Sequence, residues 1–364
     1  MGGASNLIGT CITGQRTGRT WTVTEQLKFE PGRSAGVFSI CYKIIDAEGN
    51  EAFLKASDVT LALAKSDPLL ALIEITTAHQ FERTILEHCR GNRLDKVVTA
   101  LDSGTLEVID NGTRDMVFFI VFELAKGDLR KFVSVKEGND LVWILSAMHS
   151  FATAVSQIHS VGIFHNDLKP ANVLVFENDE KVADFGRATS PLHPVPHDPN
   201  LCAGDRRFAP PEQLYFSDNG AAEMDRFLKA RAGDLNNLGS VIHFLITKRM
   251  LTPDVINRLT IAHKPNRSAG GWCDSYDSVL PFWRQSYDAA ITEFFDDLPE
   301  TWITRYKFAL EEIKLIILHL CEPDFRLRGD LVASEVNPAK YSIEKIISRL
   351  DNLRSRVLVI SRAK

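Results

Sequence analysis

The stretch His165-Asn-Asp-Leu-Lys-Pro-Ala-Asn172, followed after a short apolar run and a charged turn by Asp184-Phe-Gly186, decides how this chain is read. Upstream of it, apolar residues at Ile144, Met148, Phe151, Val155 and Ile158 recur at helical spacing. Downstream, Leu235 to Ile246 is apolar on nearly every side, as expected of a helix buried inside a lobe. Amphipathic helices also fit about 306 to 321 and 341 to 358. Before residue 123 the pattern changes. Alternating apolar residues from Trp21 to Ile45, broken by Pro31-Gly32 and Gly36, then the turn cluster Asp46 to Asn50 and the run Glu51 to Ala56, predict three strands. Asp67-Pro68 sets an N-cap before a proline at the first helical position, and Leu69, Leu70, Ile73, Phe81, Ile85 and Leu86 continue a helix over about 68 to 90. At 1.5 Å per residue that helix is about 33 Å long. Two more strands fit Val97 to Ala100 and Met116 to Phe122.

Composition narrows the class. The chain has 364 residues, is 45% hydrophobic and carries 42 Lys+Arg against 47 Asp+Glu, a formal charge of -5. These values are those of a globular protein with room for two lobes and no global basic field for nucleic acid. Uninterrupted apolar runs such as Val117 to Phe122 fall far below the roughly 18 to 20 residues of a bilayer span. Six scattered cysteines without a C-x-x-C pair, and no signal-peptide pattern, fit a reducing cytoplasm. The start Met1-Gly-Gly-Ala-Ser-Asn6 is similar to a myristoylation signal but has Asn6 where Ser or Thr is wanted. No internal repeat occurs, and Pro191 to Pro199 reads as loop.

The opening stretch resembles the catalytic loop and metal-binding triplet of eukaryotic-type serine/threonine protein kinases. Chance agreement at His165, Asp167, Leu168, Asn172 and the triplet is on the order of one in a billion per starting position. The resemblance runs over roughly residues 20 to 330, with its motifs in the right order. It implies an α+β, bilobal protein-kinase-like fold, with a small antiparallel-sheet N-lobe carrying one long helix and a larger, mainly helical C-lobe. The expected boundaries are an N-terminal extension over 1–19, an N-lobe over 20–123, a C-lobe over 124–330 with an insertion around 250–300, and a C-terminal helical extension over 331–364. ATP is expected in the cleft at Phe122 to Asp128.

The same resemblance assigns roles. Asp167 is the base that orients the incoming hydroxyl, and Asn172 and Asp184 are the Mg²⁺ ligands, oxygen donors that suit a hard cation. Lys169 steadies the transferring phosphoryl group, while His165 and Phe185 are packing residues. Lys55, in Ala52-Phe-Leu-Lys55, is the phosphate-binding lysine, and Glu82 its partner on the long helix; Glu74 and Glu87 lie on that helix as register rivals. Glu123 and Ala125 supply backbone to adenine, Leu174 lines the nucleotide site, and Asp128 either contacts ribose or caps the next helix. Glu212 of Ala209-Pro-Pro-Glu212 is expected to pair with Arg326. The activation segment and this pair speak for protein substrates bearing Ser or Thr rather than small molecules.

Departures from the family's pattern are local. The phosphate loop offers only Gly32 and Gly36 at an unusual spacing, which leaves fewer backbone N–H groups able to close on phosphate. Phe53 replaces a small residue and, by the strand period, shares the face of Lys55. Asn166 replaces an arginine, making this a non-RD variant for which activation-loop phosphorylation is not required, although Thr189 and Ser190 are available. Asp205 stands where a Thr is usual, and Phe208 where a Tyr is. A carboxylate there would lie near Asp167 and Lys169. Trp272, Phe282, Trp283, Phe294 and Phe295 fall in the insertion and read as local core or as a docking surface. The rival functional reading is a pseudokinase scaffold that binds nucleotide with little transfer.

Overall fold

A computed structural model describes residues 3–28, 39–57, 59, 62, 65–110, 113–135, 140–177, 179–194, 196, 204–215, 223–265, 270–329 and 343–363. The chain divides into a first unit, Met1–Gly127 with Leu174–Asn178 and Ala183–Gly186, and a second, Asp128–Val173 with Asp179–Val182 and Arg187–Lys364.

The first unit is built on a six-stranded sheet of order β1-β2-β3-β4-β6-β5, every neighbouring pair antiparallel. Its strands are β1 Cys11–Thr13, β2 Thr20–Leu27, β3 Ser39–Asp46, β4 Glu51–Ser57, β5 Ala100–Asp110 and β6 Thr113–Glu123. Alternation sorts the side chains. Tyr42 and Ile44 of β3, Ala52, Leu54 and Ala56 of β4, and Val117, Phe119 and Val121 of β6 fill one face together with Trp21 and Val23. The expected turn between β3 and β4 forms because the Asp46 carboxylate accepts the N–H groups of Glu48 (2.9 Å) and Asn50 (2.8 Å), with Gly49 supplying a φ of +86°.

The strand expected at Val97 to Ala100 lies elsewhere. Val97 and Val98 are both buried, which a half-buried strand's alternation forbids, and pairing begins at Ala100 opposite Phe122 and runs to Asp110. Residues 3–13, set apart in sequence as an extension, contribute to the core of this unit. Ala4, Leu7 and Ile12 are buried in it, the Tyr42 hydroxyl donates to the Ala4 carbonyl at 2.6 Å, and the Gly3 N–H donates to the Asp115 carboxylate at 2.7 Å.

The long helix is Pro68–Gly91, 24 residues, started by the Asp67 carboxylate accepting the Leu70 N–H at 3.0 Å. Its buried stripe is Ala71, Ile75, Phe81, Glu82, Ile85, Leu86 and Cys89. Leu69, Leu70 and Ile73, counted above in the apolar pattern, are exposed. Glu82 is the one charged residue on the buried stripe.

The second unit is helical. Its central helix, Leu141–Ser160, is apolar and long enough to cross a bilayer by length and composition, yet eleven of its residues are buried against the rest of the unit. Glu223–Thr247 approaches Glu300–Leu320 closely at Gly239, where a Cβ would lie 2.5 Å from the Cys321 sulfur. Only glycine fits there. In the aromatic-rich stretch, Trp283 and Phe294 are core, whereas Phe282 is partly exposed with the His263 ring stacked on it at 3.7 Å. The final helix, Glu344–Arg362, lies against Leu141–Ser160 with Ile346, Leu350, Leu353 and Val357 buried. It is fastened by Arg349 to Glu312 at 2.5 Å and by the Arg305 guanidinium donating to the Ile360 carbonyl at 2.5 Å.

Candidate active site

In the sheet unit, β4 sets Lys55 on the face opposite its core neighbours Leu54 and Ala56, in register with Cys41 and Ile120. Its ammonium donates to both Glu82 oxygens, at 2.9 and 2.8 Å, and lies 3.5 Å from the Asp184 carboxylate. Glu82 is therefore the partner. Glu74 is exposed, and Glu87 faces solvent beside Arg83 at 3.8 Å. Burial works against the charge of Lys55, but Glu82 and Asp184 together push its pKa above the ordinary lysine range. Glu82 is held above the ordinary carboxylate range, because burial outweighs the pull of Lys55. Burial also pushes the thiol of Cys41 up to about 12, so it is an inert neighbour.

Phe53 shares the Lys55 face, as the strand period requires, and its ring lies 6.2 Å from that of Phe122. Glu123 exchanges two hydrogen bonds with Thr99: its N–H donates to the Thr99 carbonyl at 3.2 Å and its carboxylate accepts the Thr99 N–H at 2.7 Å. The Lys126 N–H donates to the Val175 carbonyl at 2.9 Å, and Ala125 and Leu174 are half-buried. Gly32 and Gly36 lie outside the described residues. Asp184 has a φ of 67°, a left-handed conformation that non-glycine residues adopt at some cost and that recurs where a side chain must be aimed.

In the helical unit the catalytic-loop stretch hangs on Asp234. This buried carboxylate accepts the N–H of His165 at 2.7 Å and of Asn166 at 2.8 Å, and lies 3.0 Å from the His159 ring. The loop can then turn left-handed at Asn166, φ 61°, and present Asp167. One Asp167 oxygen accepts from Lys169 at 2.7 Å and from the Asn172 amide at 3.2 Å; the other accepts the Asp205 N–H at 2.7 Å. Asn172 also donates to the Asp167 carbonyl at 2.9 Å, so its amide nitrogen is committed to Asp167. Burial raises the Asp167 pKa above the ordinary carboxylate range despite Lys169. His165 accepts the Asp167 N–H through its ring nitrogen at 3.3 Å and is fully buried, a packing and positioning role. Asp128 accepts the Lys131 N–H at 3.1 Å, which is the cap.

Two expectations about the segment after Gly186 and its ion pair are corrected. Thr189 and Ser190 are buried rather than available: Thr189 and Phe164 exchange both backbone hydrogen bonds, at 2.9 and 2.7 Å. The Asp205 carboxylate lies near Lys169 as expected, but Arg207 takes it through two side-chain nitrogens at 2.6 to 3.2 Å and, ahead of Lys169, holds its pKa low against burial. The partner of Glu212 is Arg328, not Arg326. Arg328 meets Glu212 at 2.6 and 2.9 Å and also donates to the carbonyls of Ala232 and Glu322, while Arg326 is half exposed among Asp324 and Asp277. Asp324 is the reason, because it accepts both the N–H and the guanidinium of Arg326 and holds that side chain at the surface. Sequence reasoning also passed over Gly204, where a Cβ would lie 2.4 Å from the Asn166 carbonyl and 2.8 Å from Asp167. Its position beside Asp205 was the available signal.

The protein kinase domain family matches residues 35–301 of the chain. A protein of Clostridium perfringens named "Probable serine/threonine-protein kinase CPE1738" is 34% identical over 162 residues, 43% of this chain and 22% of that protein. Serine/threonine-protein kinase PrkC of Bacillus subtilis is 27% identical over 147 residues, 40% of this chain and 21% of PrkC. The human phosphorylase b kinase gamma catalytic chain, liver/testis isoform, is 29% identical over 175 residues, 46% of this chain and 39% of that one. The chain thus matches well under two thirds of each relative's length. With the family match spanning most of its residues and the motif side chains assembled in each unit, this chain belongs to the protein kinase domain family.

Proposed function

We propose that the chain transfers the γ-phosphoryl group of ATP to serine or threonine hydroxyls of other proteins, with Mg²⁺, in a reducing cytoplasm. The observation that carries this reading is the bonding of Asp167: a buried carboxylate with raised pKa, oriented through Lys169 and the Asn172 amide. A hydroxyl brought to it finds an acceptor whose proton affinity is tuned upward, as a general base requires. Lys169 supplies positive charge beside the transferring group, and Lys55, clamped by Glu82, is aimed at the phosphates.

Magnesium fits the donors present. Asp184 offers a carboxylate oxygen and Asn172 an amide oxygen, each of the donor type that a hard cation takes. When bound, the ion neutralises charge on the phosphates. The chain's own part is to aim Asp184 through a left-handed backbone and to fix the Asn172 amide on Asp167.

The reading includes activity without a phosphate on the activation segment. Asn166 is neutral and buried, and its amide donates to the Arg187 carbonyl and the Thr189 hydroxyl, both at 3.1 Å, so protein groups already fasten that segment to the catalytic loop. One observation favours the rival pseudokinase. The Asp205 N–H occupies an Asp167 oxygen that an acceptor hydroxyl would need. Radiolabelled ATP with Mg²⁺ and a generic protein acceptor separates the two. Asp167→Asn should lower transfer about a thousandfold, and phosphatase pretreatment of the wild type should leave it intact. Equal transfer by wild type and Asp167→Asn would sink the reading.

A further inference from the structure

Around Asp167 the helical unit matches nearly every charge. Lys169 pairs with Asp167 at 2.7 Å, and Arg207 with Asp205 at 2.6 Å. Arg328 pairs with Glu212, Arg130 lies 3.5 Å from Asp128, and Asp234 is satisfied by His159 and two backbone N–H groups. Two cations are left over. Arg187 and Arg206 are exposed, and among the described residues no carboxylate pairs with either. Both are tied to the catalytic loop through their immediate backbone. The Arg187 carbonyl accepts from Asn166, the residue before Asp167, and Arg206 follows Asp205, whose N–H sits on the Asp167 carboxylate. Buried neighbours, Ala188 and Thr189 on one side and Phe208 and Ala209 on the other, fix both points of attachment.

We propose that Arg187 and Arg206 select acceptor segments that carry Asp or Glu side chains close beside the phosphorylated Ser or Thr. The inference rests on the phosphotransfer reading above. An acceptor hydroxyl must reach Asp167, and an extended peptide advances about 3.3 to 3.6 Å per residue. A guanidinium on a flexible arm rooted next to Asp167 therefore spans about two residues of that peptide. A carboxylate there meets a cation that no carboxylate pairs with among the described residues, whereas a lysine or arginine meets like charge. The bland alternative is that both arginines are solvated surface charges. Against it stands the pairing of every carboxylate named above, which leaves the excess positive charge at the place where the acceptor must come.

The test uses the purified chain and a peptide series with one serine acceptor on a fixed scaffold, its flanking positions Glu, Ala or Lys. The quantity read is kcat/KM relative to the Ala peptide. Wild type should favour Glu over Ala by about fivefold and Ala over Lys, with the preference shrinking as salt is raised. Arg187→Glu with Arg206→Glu should invert the order, and Arg206→Ala should flatten it. Circular dichroism and the unfolding midpoint check that the variants fold, which their exposure favours. A flat or Lys-favouring wild type, or a Glu preference that survives the double substitution, overturns the inference. Equal transfer to all three peptides overturns this inference alone. Transfer to none of them, with ATP still bound, overturns the phosphotransfer reading and this one with it.

Discussion

Two buried ion pairs, one in each unit, use the same chemistry for opposite ends. Arg328 and Glu212 are sealed, with side chains 0% and 4% exposed, two parallel contacts, and carbonyls taking up remaining guanidinium hydrogens. Lys55 and Glu82 are looser, 16% and 8% exposed, with a single-point cation and a third partner in Asp184. A planar fork suits a permanent staple, whereas a rotatable ammonium that already shares itself between carboxylates can turn toward another anion. The difference lies in how each charge is finished off. Among the described residues Glu212 meets one cation, Arg328, whereas Glu82 shares Lys55 with Asp184 and has a pKa raised by burial, so that it can take up a proton.

The largest effect should come from Arg328→Met, which strands Glu212 without a counter-charge. A loss of about 3–5 kcal/mol is expected, read as a fall in the denaturant midpoint, with activity lost only as the protein unfolds. Lys55→Met should do the reverse. Transfer drops about a thousandfold, ~4 kcal/mol of activation, while the midpoint falls less than for Arg328→Met because Glu82 can neutralise itself. If Lys55→Met unfolded the chain as badly as Arg328→Met, the contrast would be wrong. A smaller effect concerns pH. With its pKa raised, Asp167 is protonated below that value and cannot accept a proton, so kcat/KM should climb as pH rises through it and then level. Lys169 lowers that pKa, and Lys169→Met should therefore move the acid limb to higher pH. The smallest should be Arg326→Ala, a half-exposed arginine whose removal costs less than ~1 kcal/mol by urea titration. A large loss there would restore the pairing expected from sequence.

The two arginines show where sequence reading stops. Both lie in Asp324-Phe-Arg-Leu-Arg328, two positions apart, and motif spacing alone picks either. The choice was made by a local competitor, Asp324, whose hold on Arg326 is invisible in a linear pattern. Elements with a strong period were legible: β3, β4, the helix after Asp67, and Lys55 with Glu82 on facing elements. So was the order of Asp167, Lys169 and Asn172, because it is local in sequence. What escaped depends on three-dimensional closeness. Burial of Thr189 comes from its pairing with Phe164, 25 residues earlier, and the need for glycine at 204 from the Asn166 carbonyl above it. The strand at Ala100–Asp110 was missed because Ser103 and Gly104 weaken its alternation, and its partner β6 supplies the pairing.

The helix Glu344–Arg362 closes one side of Leu141–Ser160, a partner nearly two hundred residues earlier; the Ser156 hydroxyl reaches Glu344 at 3.3 Å. During synthesis at roughly 5–20 residues per second, that apolar helix waits about 10 to 40 seconds for the segment that covers it. Until then the nascent chain displays a surface of the kind chaperones hold. Chains that stop short of Glu344 should therefore become clients of folding assistance before they become enzymes, whatever the integrity of Asp167.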